Sequence, residues 1–181
     1  MQYFTWGINK PETTEQRTSL IRTHWDFIAN FDKNLIARGP VLDAGDTNVV
    51  IGSIHIVELE NLAKAEEFTY NEPFAKAGLF KSIIIKPFQL ELERNQFNFV
   101  SNPDFIRFFI YCPATIDEKA RSPKLVSAHE VYCKKFDENF ICHGSLLSND
   151  HTWQGNIYFL EFASKLDVDE FLIGEPFAKS D

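Results

Sequence analysis

The 181-residue chain predicts an α+β fold built from two ferredoxin-like modules, each in the order strand, helix, strand, strand, helix, strand. Three observations carry this expectation: an approximate internal repeat, apolar positions that switch between the strand and helix periods, and turn residues at corresponding places in both halves. The repeat has two anchors. His24 precedes Phe31-Asp32-Lys33-Asn34-Leu35-Ile36-Ala37-Arg38-Gly39, and His129 precedes Phe136-Asp137-Glu138-Asn139-Phe140-Ile141-Cys142-His143-Gly144, each His standing 15 residues before its Gly. Further on, Gly52-Ser53-Ile54-His55-Ile56-Val57-Glu58 is answered by Gly155-Asn156-Ile157-Tyr158-Phe159-Leu160-Glu161, and Glu72-Pro73-Phe74-Ala75-Lys76 returns unchanged as Glu175-Pro176-Phe177-Ala178-Lys179. The offset is 105 before the loop that follows Gly39 and 103 after it, so a two-residue gap near Asp43 to Val50 brings the halves into line. Duplication of one module is the expected origin.

In the first module, residues 3–8 form the opening strand, and Lys10 to Thr14, with Pro11, punctuates the chain. Thr13 or Thr14 caps a helix whose Leu20, Ile21, His24, Phe27, Ile28 and Phe31 recur at three- and four-residue steps, so His24 lies on or beside the buried stripe. Leu35 to Leu42 and Val49 to Leu59 are the next strands. A short helix follows from Leu62 to Tyr70, with Ala63, Ala65 and Phe68 as its apolar positions, and Pro73 ends or redirects it. Leu79 to Phe88, with Ile83, Ile84 and Ile85, reads as a strand buried on both faces. The second module repeats the order with Phe105 to Tyr111, a helix from Pro123 to Asp137, Phe140 to Leu147, Asn156 to Phe162 and a helix from Leu166 to Leu172. Nothing corresponds to a fourth strand there, since Asp181 aligns with Gly78. The expected organisation is module 1 at 1–88, a linker with strand-like alternation at 89–104, and module 2 at 105–181.

Composition narrows the function classes. With 44% hydrophobic residues and 18 Phe the chain can bury a core, and 26 acidic against 18 basic side chains give a formal charge of −8 that repels a phosphate backbone. No nucleic-acid partner and no membrane span are expected, and nothing at Met1-Gln2-Tyr3-Phe4 resembles a leader, so the expected location is cytoplasmic. Cys112, Cys133 and Cys142 show no paired spacing and read as free thiols. Phosphate-cradling glycine loops and a nucleophile elbow are absent from the sequence. His129, Cys133, Cys142, His143 and His151 were weighed as metal ligands, but the first module has Ile28 and Arg38 at the places of Cys133 and His143, and no metal is expected. Trp6, Trp25 and Trp153 suit core filling or the lining of an aromatic pocket.

The helix carrying His24, the Ala37-Arg38-Gly39-Pro40 turn, the Ile51-Gly52-Ser53 strand start ending at Glu58, and Glu72-Pro73-Phe74-Ala75-Lys76-Ala77-Gly78-Leu79-Phe80 leading to Ile84-Ile85-Lys86-Pro87-Phe88 together resemble the YCII-related (YciI-like) family. The resemblance covers nearly all of 1–88 and, more loosely, 105–181. It implies a dimeric α+β barrel in which two ferredoxin-like modules pack sheet to sheet, as a pseudo-dimer within one chain or as a homo-oligomer. It also implies a pocket beside a cooperating His and acid, and the matching positions are His24 with Glu72 and His129 with Glu175. The family usually has Asp before the Pro, where this chain has Glu, and often Arg three residues ahead of the His, where it has Ile21 and Val126.

An imidazole beside a carboxylate is a general acid–base unit, because both protonation states of His are available near neutral pH. The implied activity is a cofactor-independent lyase or isomerase, dehydrochlorinase-like, acting on a small-molecule ligand through His24 and Glu72, or His129 and Glu175. The same residues suit a structural role: a core histidine, a helix-stopping Pro and a core Phe. A non-catalytic metabolite-binding or scaffolding module therefore competes with the enzyme, and a subunit recruited through an open strand edge is a third reading. That edge is Phe105 to Tyr111, left without its fourth-strand neighbour and expected to be covered by the linker or by a second chain.

Overall fold

The computed structural model describes residues 1–115 and 121–179, and the chain divides into two compact units, Met1–Phe88 and Gln89–Asp181. The first contains β1 (Gln2–Asn9), α1 (Thr14–Ala29), β2 (Leu35–Leu42), β3 (Val50–Glu58), α2 (Leu62–Asn71), α3 (Pro73–Lys76) and β4 (Phe80–Leu90). Its strands are antiparallel in the order β2-β3-β1-β4. Along β3, Ser53, His55 and Val57 alternate with Ile54 and Ile56. Val57 packs with Ile28, Leu35 and Phe68 in the core under the helices. Arg17, His24 and Ile28 are the buried residues of α1, a stripe one and two turns long that includes the residue singled out from the sequence.

Local chemistry explains the helix starts. Asn61 caps α2 by accepting from the Lys64 N–H, and Glu72 caps α3 by accepting from the Phe74 N–H, with Pro73 in the first turn where a missing donor is harmless. Thr13 differs from expectation. At φ −96°, ψ 4° its backbone is not extended, and its hydroxyl donates to the Lys10 carbonyl at 3.0 Å instead of capping α1. Two burial expectations also change. Ala63 is exposed while Thr69 is buried, because the Thr69 hydroxyl returns to the Ala65 carbonyl at 2.7 Å within the helix. Ile83, Ile84 and Ile85 are only half-buried, not enclosed on both faces.

The second unit contains β5 (Ile106–Pro113), α4 (Pro123–Cys133), a 3₁₀ turn (Lys134–Asn139), β6 (Phe140–Leu147), β7 (Trp153–Phe162) and α5 (Lys165–Gly174), with β7 paired antiparallel to both β5 and β6. Its registers reproduce those of the first unit. His55 lies opposite Thr5 and Arg38, and Tyr158, at the 103-residue offset, lies opposite Ile110 and His143. The register shifts between Leu35 and Ala37 and between Val41 and Leu42 recur between Phe140 and Cys142 and between Leu146 and Leu147. The core recurs as well: Ile28, Leu35, Val57 and Phe68 are matched by Cys133, Phe140, Leu160 and Phe171.

The linker departs from expectation. It does not cover β5, which stays at the end of the strand order; its residues bind elsewhere in the second unit. The Glu91 N–H donates to the His143 carbonyl on β6 at 3.0 Å. Arg94 reaches the Asp137 and Phe140 carbonyls and the Asp137 carboxylate, Leu92 packs on the core, and Ser101 and the Asn102 N–H both bind the buried Glu161 carboxylate. A buried acid needs such donors, and these segments are the nearest source. Asp181, where the expected fourth strand is missing, lies outside the described residues.

Gly155 shows how tightly β5 and β7 approach. Its φ is +126°, and a Cβ there would run into the Cys112 carbonyl. Gly155→Ala is expected to lower unfolding free energy by about 1–3 kcal/mol, the range for strained backbone, read as a reduced urea midpoint. An unchanged midpoint would contradict this account of the strand contact.

Candidate active site

Each unit brings its expected pair together. In the first, His24 Nδ1 lies 2.7 Å from Glu72 Oε2, an interaction between residues 48 apart in sequence. The same oxygen accepts from the Phe74 N–H at 3.3 Å, so one carboxylate caps α3 and orients an imidazole on α1. The His24 ring stacks on Phe74 with centroids 4.2 Å apart and planes at 17°. Its side chain is 9% exposed, and among the described residues Nε2 has no hydrogen-bond partner. In the second unit, His129 Nδ1 lies 2.7 Å from Glu175 Oε1, and Glu175 Oε2 accepts from the Ala178 N–H. His129 packs at 4.8 Å from Phe177.

The surroundings differ. Beside His24 stands Arg17, seven residues back on α1, a spacing that returns to the same helix face after two turns. Its guanidinium carbon sits 4.2 Å from the centre of the Phe74 ring, Nη2 donates to Ser53 Oγ at 2.6 Å, and Nη1 is buried without a partner. Burial lowers the Arg17 pKa, and the charge of Glu72 opposes that shift. His55, behind His24 at a centroid distance of 5.8 Å, is driven down to about 3 by burial first and then by the charges of His24, Arg38 and Arg17. It is a neutral ring whose Nδ1 lies 3.4 Å from the Thr5 hydroxyl.

His129 is instead enclosed by acids. Glu91, from the linker, places Oε2 3.6 Å from His129 Nε2 and 3.3 Å from His143 Nδ1, and Oε1 accepts from Ser145 Oγ at 2.7 Å. The His143 contact has ion-pair distance without hydrogen-bond alignment. Burial alone would lower the His129 pKa, but the Cys133 sulfur and the Glu175 and Glu91 carboxylates hold it up at about 11. Burial would raise Glu91, yet contacts with His129, His143 and Ser145 keep it far below the usual carboxylate range. Tyr158 replaces His55, and Arg121, one position from the counterpart of Arg17, lies 5.7 Å from the Phe177 ring centre.

Sequence reasoning named all four pair members and missed Arg17 and Glu91. The seven-residue spacing from Arg17 to His24 was a usable signal; the contact of Glu91 with a helix 38 residues further on carries none. Among the described residues no group of three or more His, Cys, Asp or Glu side chains is placed to hold a metal ion. Cys142 is buried in the core, and all three cysteines are free thiols. Trp25 is exposed, so it fills neither core nor pocket, whereas Trp153 is buried and donates to Asn156 Oδ1. A cleft of about 560 Å³ in the first unit, lined by Phe31, Leu59, Lys64 and Phe68 among others, does not include His24 or Glu72.

An antiparallel sheet with helices carrying a buried imidazole–carboxylate pair defines the class, a mixed α/β protein with a candidate acid–base site. Within that class, residues 1–89 match the YCII-related domain. An uncharacterised protein of Haemophilus influenzae is 27% identical over 95 residues, covering 49% of this chain and 97% of that protein. Among solved structures, chlorite dismutase from Candidatus Nitrospira defluvii in complex with imidazole is 10% identical, covers 96% of this chain and 81% of its own, and superposes with a TM-score of 0.59, a likeness of fold. The 5-chloro-2-hydroxyhydroquinone dehydrochlorinase TftG from Burkholderia phenoliruptrix, in complex with 2,5-dihydroxybenzoquinone, is 27% identical over 49% of this chain and 94% of its own, with a TM-score of 0.47.

The two shifted histidines give opposite pH responses. His55 titrates at 6.5 unfolded and about 3 folded, so the first unit loses stability as pH falls from 6.5 toward 3. His129, raised to about 11, stabilises fully below pH 6.5 and loses its contribution as pH rises toward 11. Histidine-ring NMR is expected to show His129 charged at about pH 9 and His55 neutral at about pH 5, each between its two values. A neutral His129 at pH 8 would overturn the clamp described above.

Proposed function

We propose that the first unit is the working site of a small-molecule lyase or isomerase that moves a proton without a cofactor. The observation that carries this reading is the buried 2.7 Å pair of His24 Nδ1 and Glu72, which leaves Nε2 as the imidazole nitrogen without a protein partner. With the Nδ1 proton donated to Glu72, Nε2 is a base; it accepts a proton from a carbon next to an electron-withdrawing group, and Glu72 stabilises the imidazolium formed. Returning that proton at another position gives isomerisation, and expelling a leaving group from the neighbouring carbon gives elimination. Arg17 supplies positive charge beside the ring.

The second unit supports the other reading, a binding or scaffolding module. His129 already holds its proton against Glu175 and Glu91, so it has no vacant nitrogen with which to act as a base. The matching registers, bulges and cores support descent of both units from one module of the dimeric α+β barrel type, with acid–base function retained in the first copy.

The test is proton exchange in D₂O over a panel of enolisable acids, lactones and halogenated phenols. The expected result is activity in the wild type that His24→Asn lowers to background, about 10²–10⁴-fold, the usual contribution of a general base. Glu72→Gln should lower it at least tenfold while the substrate KM changes little. Activity surviving in His24→Asn, with His129 intact, would sink the assignment to the first unit.

A further inference from the structure

We propose that the His24 site takes a small organic carboxylate, held between Arg17 Nη1 and the His24 ring, and that Glu91 is a built-in carboxylate occupying the corresponding place in the second unit. This inference rests on the reading of His24 as ligand-facing and names the chemical class of the ligand. Two independent observations carry it.

The first is what the second unit has done with the same frame. Glu91 brings a carboxylate to His129 Nε2, the ring nitrogen opposite the one engaged by Glu175, and its other oxygen accepts from Ser145. His143, which closes the other side of that carboxylate, occupies the register position that Arg38 holds opposite His55 in the first unit. The second unit therefore displays how this frame seats a carboxylate: at the free imidazole edge, with a second imidazole, that of His143, nearby. Among the described residues, no carboxylate other than Glu72 contacts His24.

The second is Arg17. The side chain is 7% exposed, one arm is satisfied by Ser53, and Nη1 is buried with no acceptor. A buried guanidinium N–H left unmade costs more than an ordinary hydrogen bond, and the planar guanidinium fork matches a carboxylate. Arg17 and His24 both pack on one ring, Phe74, the guanidinium carbon and the imidazole centre each 4.2 Å from its centre.

The experiment titrates the full chain with propionate and benzoate, against propionamide, benzamide and inorganic phosphate, following calorimetry and the His24 ring resonances. Wild type is expected to bind one carboxylate per chain, with no binding of the amides and phosphate at least tenfold weaker. Arg17→Gln should weaken carboxylate binding at least tenfold. Glu91→Ala should raise the stoichiometry from one to two, and adding His129→Asn should return it to one. This stoichiometry keeps the test decisive even if the Arg17 variant misfolds. No carboxylate binding in wild type, equal binding of acid and amide, or a stoichiometry unmoved by Glu91→Ala overturns the proposal. Carboxylate binding without proton exchange would leave it standing while removing the enzymatic reading; exchange of uncharged compounds only, with no carboxylate bound, would do the reverse.

Discussion

A carboxylate buried to within a few per cent of full occlusion is the constraint around which each unit is arranged. Glu72 and Glu175 are 2% and 3% exposed, and an isolated charge so placed is too costly to keep without partners. Each finds the same two: an imidazole on the long helix and backbone N–H groups at the start of the turn that follows the second helix. Satisfying the acid therefore fixes the Pro-containing turn against α1 or α4 and seats a Phe under the imidazole. Removing one partner leaves the other buried and stranded, so the pair is as much an architectural tie as a chemical one.

The two units set the same pair in different environments. The first surrounds its imidazole with a buried Arg, a neutral His55 and polar Thr5 and Ser53. The second has Tyr158, Ile110 and Asn156 at the places of His55, Thr5 and Ser53, and adds His143 and an acid from the linker. One ring keeps a nitrogen unengaged; the other is held between two carboxylates. The frame is common, and the chemistry is decided by side chains that contribute little to the fold.

Much of the fold was readable because periodicity and repetition report burial directly. β2 and β6 begin and end at the residues expected, and the His–Glu pairs came from the family resemblance, with the return of both residues in each half as added support. What escaped reading depended on contacts between distant residues. The register shifts at Leu35 and Phe140 leave no compositional mark. The half-burial of Ile83 to Ile85 depends on what packs over the strand, which an apolar run does not encode. Arg17 looked like an ordinary charge on an exposed helix, because its neighbours Thr14, Glu15, Gln16, Thr18 and Ser19 are polar. Glu91 looked like one polar step in an alternating linker, and only folding reveals which side chain it meets.

The stretch from Gln89 to Asp104 looks like a tether in sequence yet is sewn into the second unit at its start, middle and end. Glu91 is fastened to β6 and the imidazole, Arg94 to the end of the 3₁₀ turn, and Ser101 and Asn102 to Glu161. A half-protein cut where the strand pattern resumes, at residue 105, would lose every one of these fastenings.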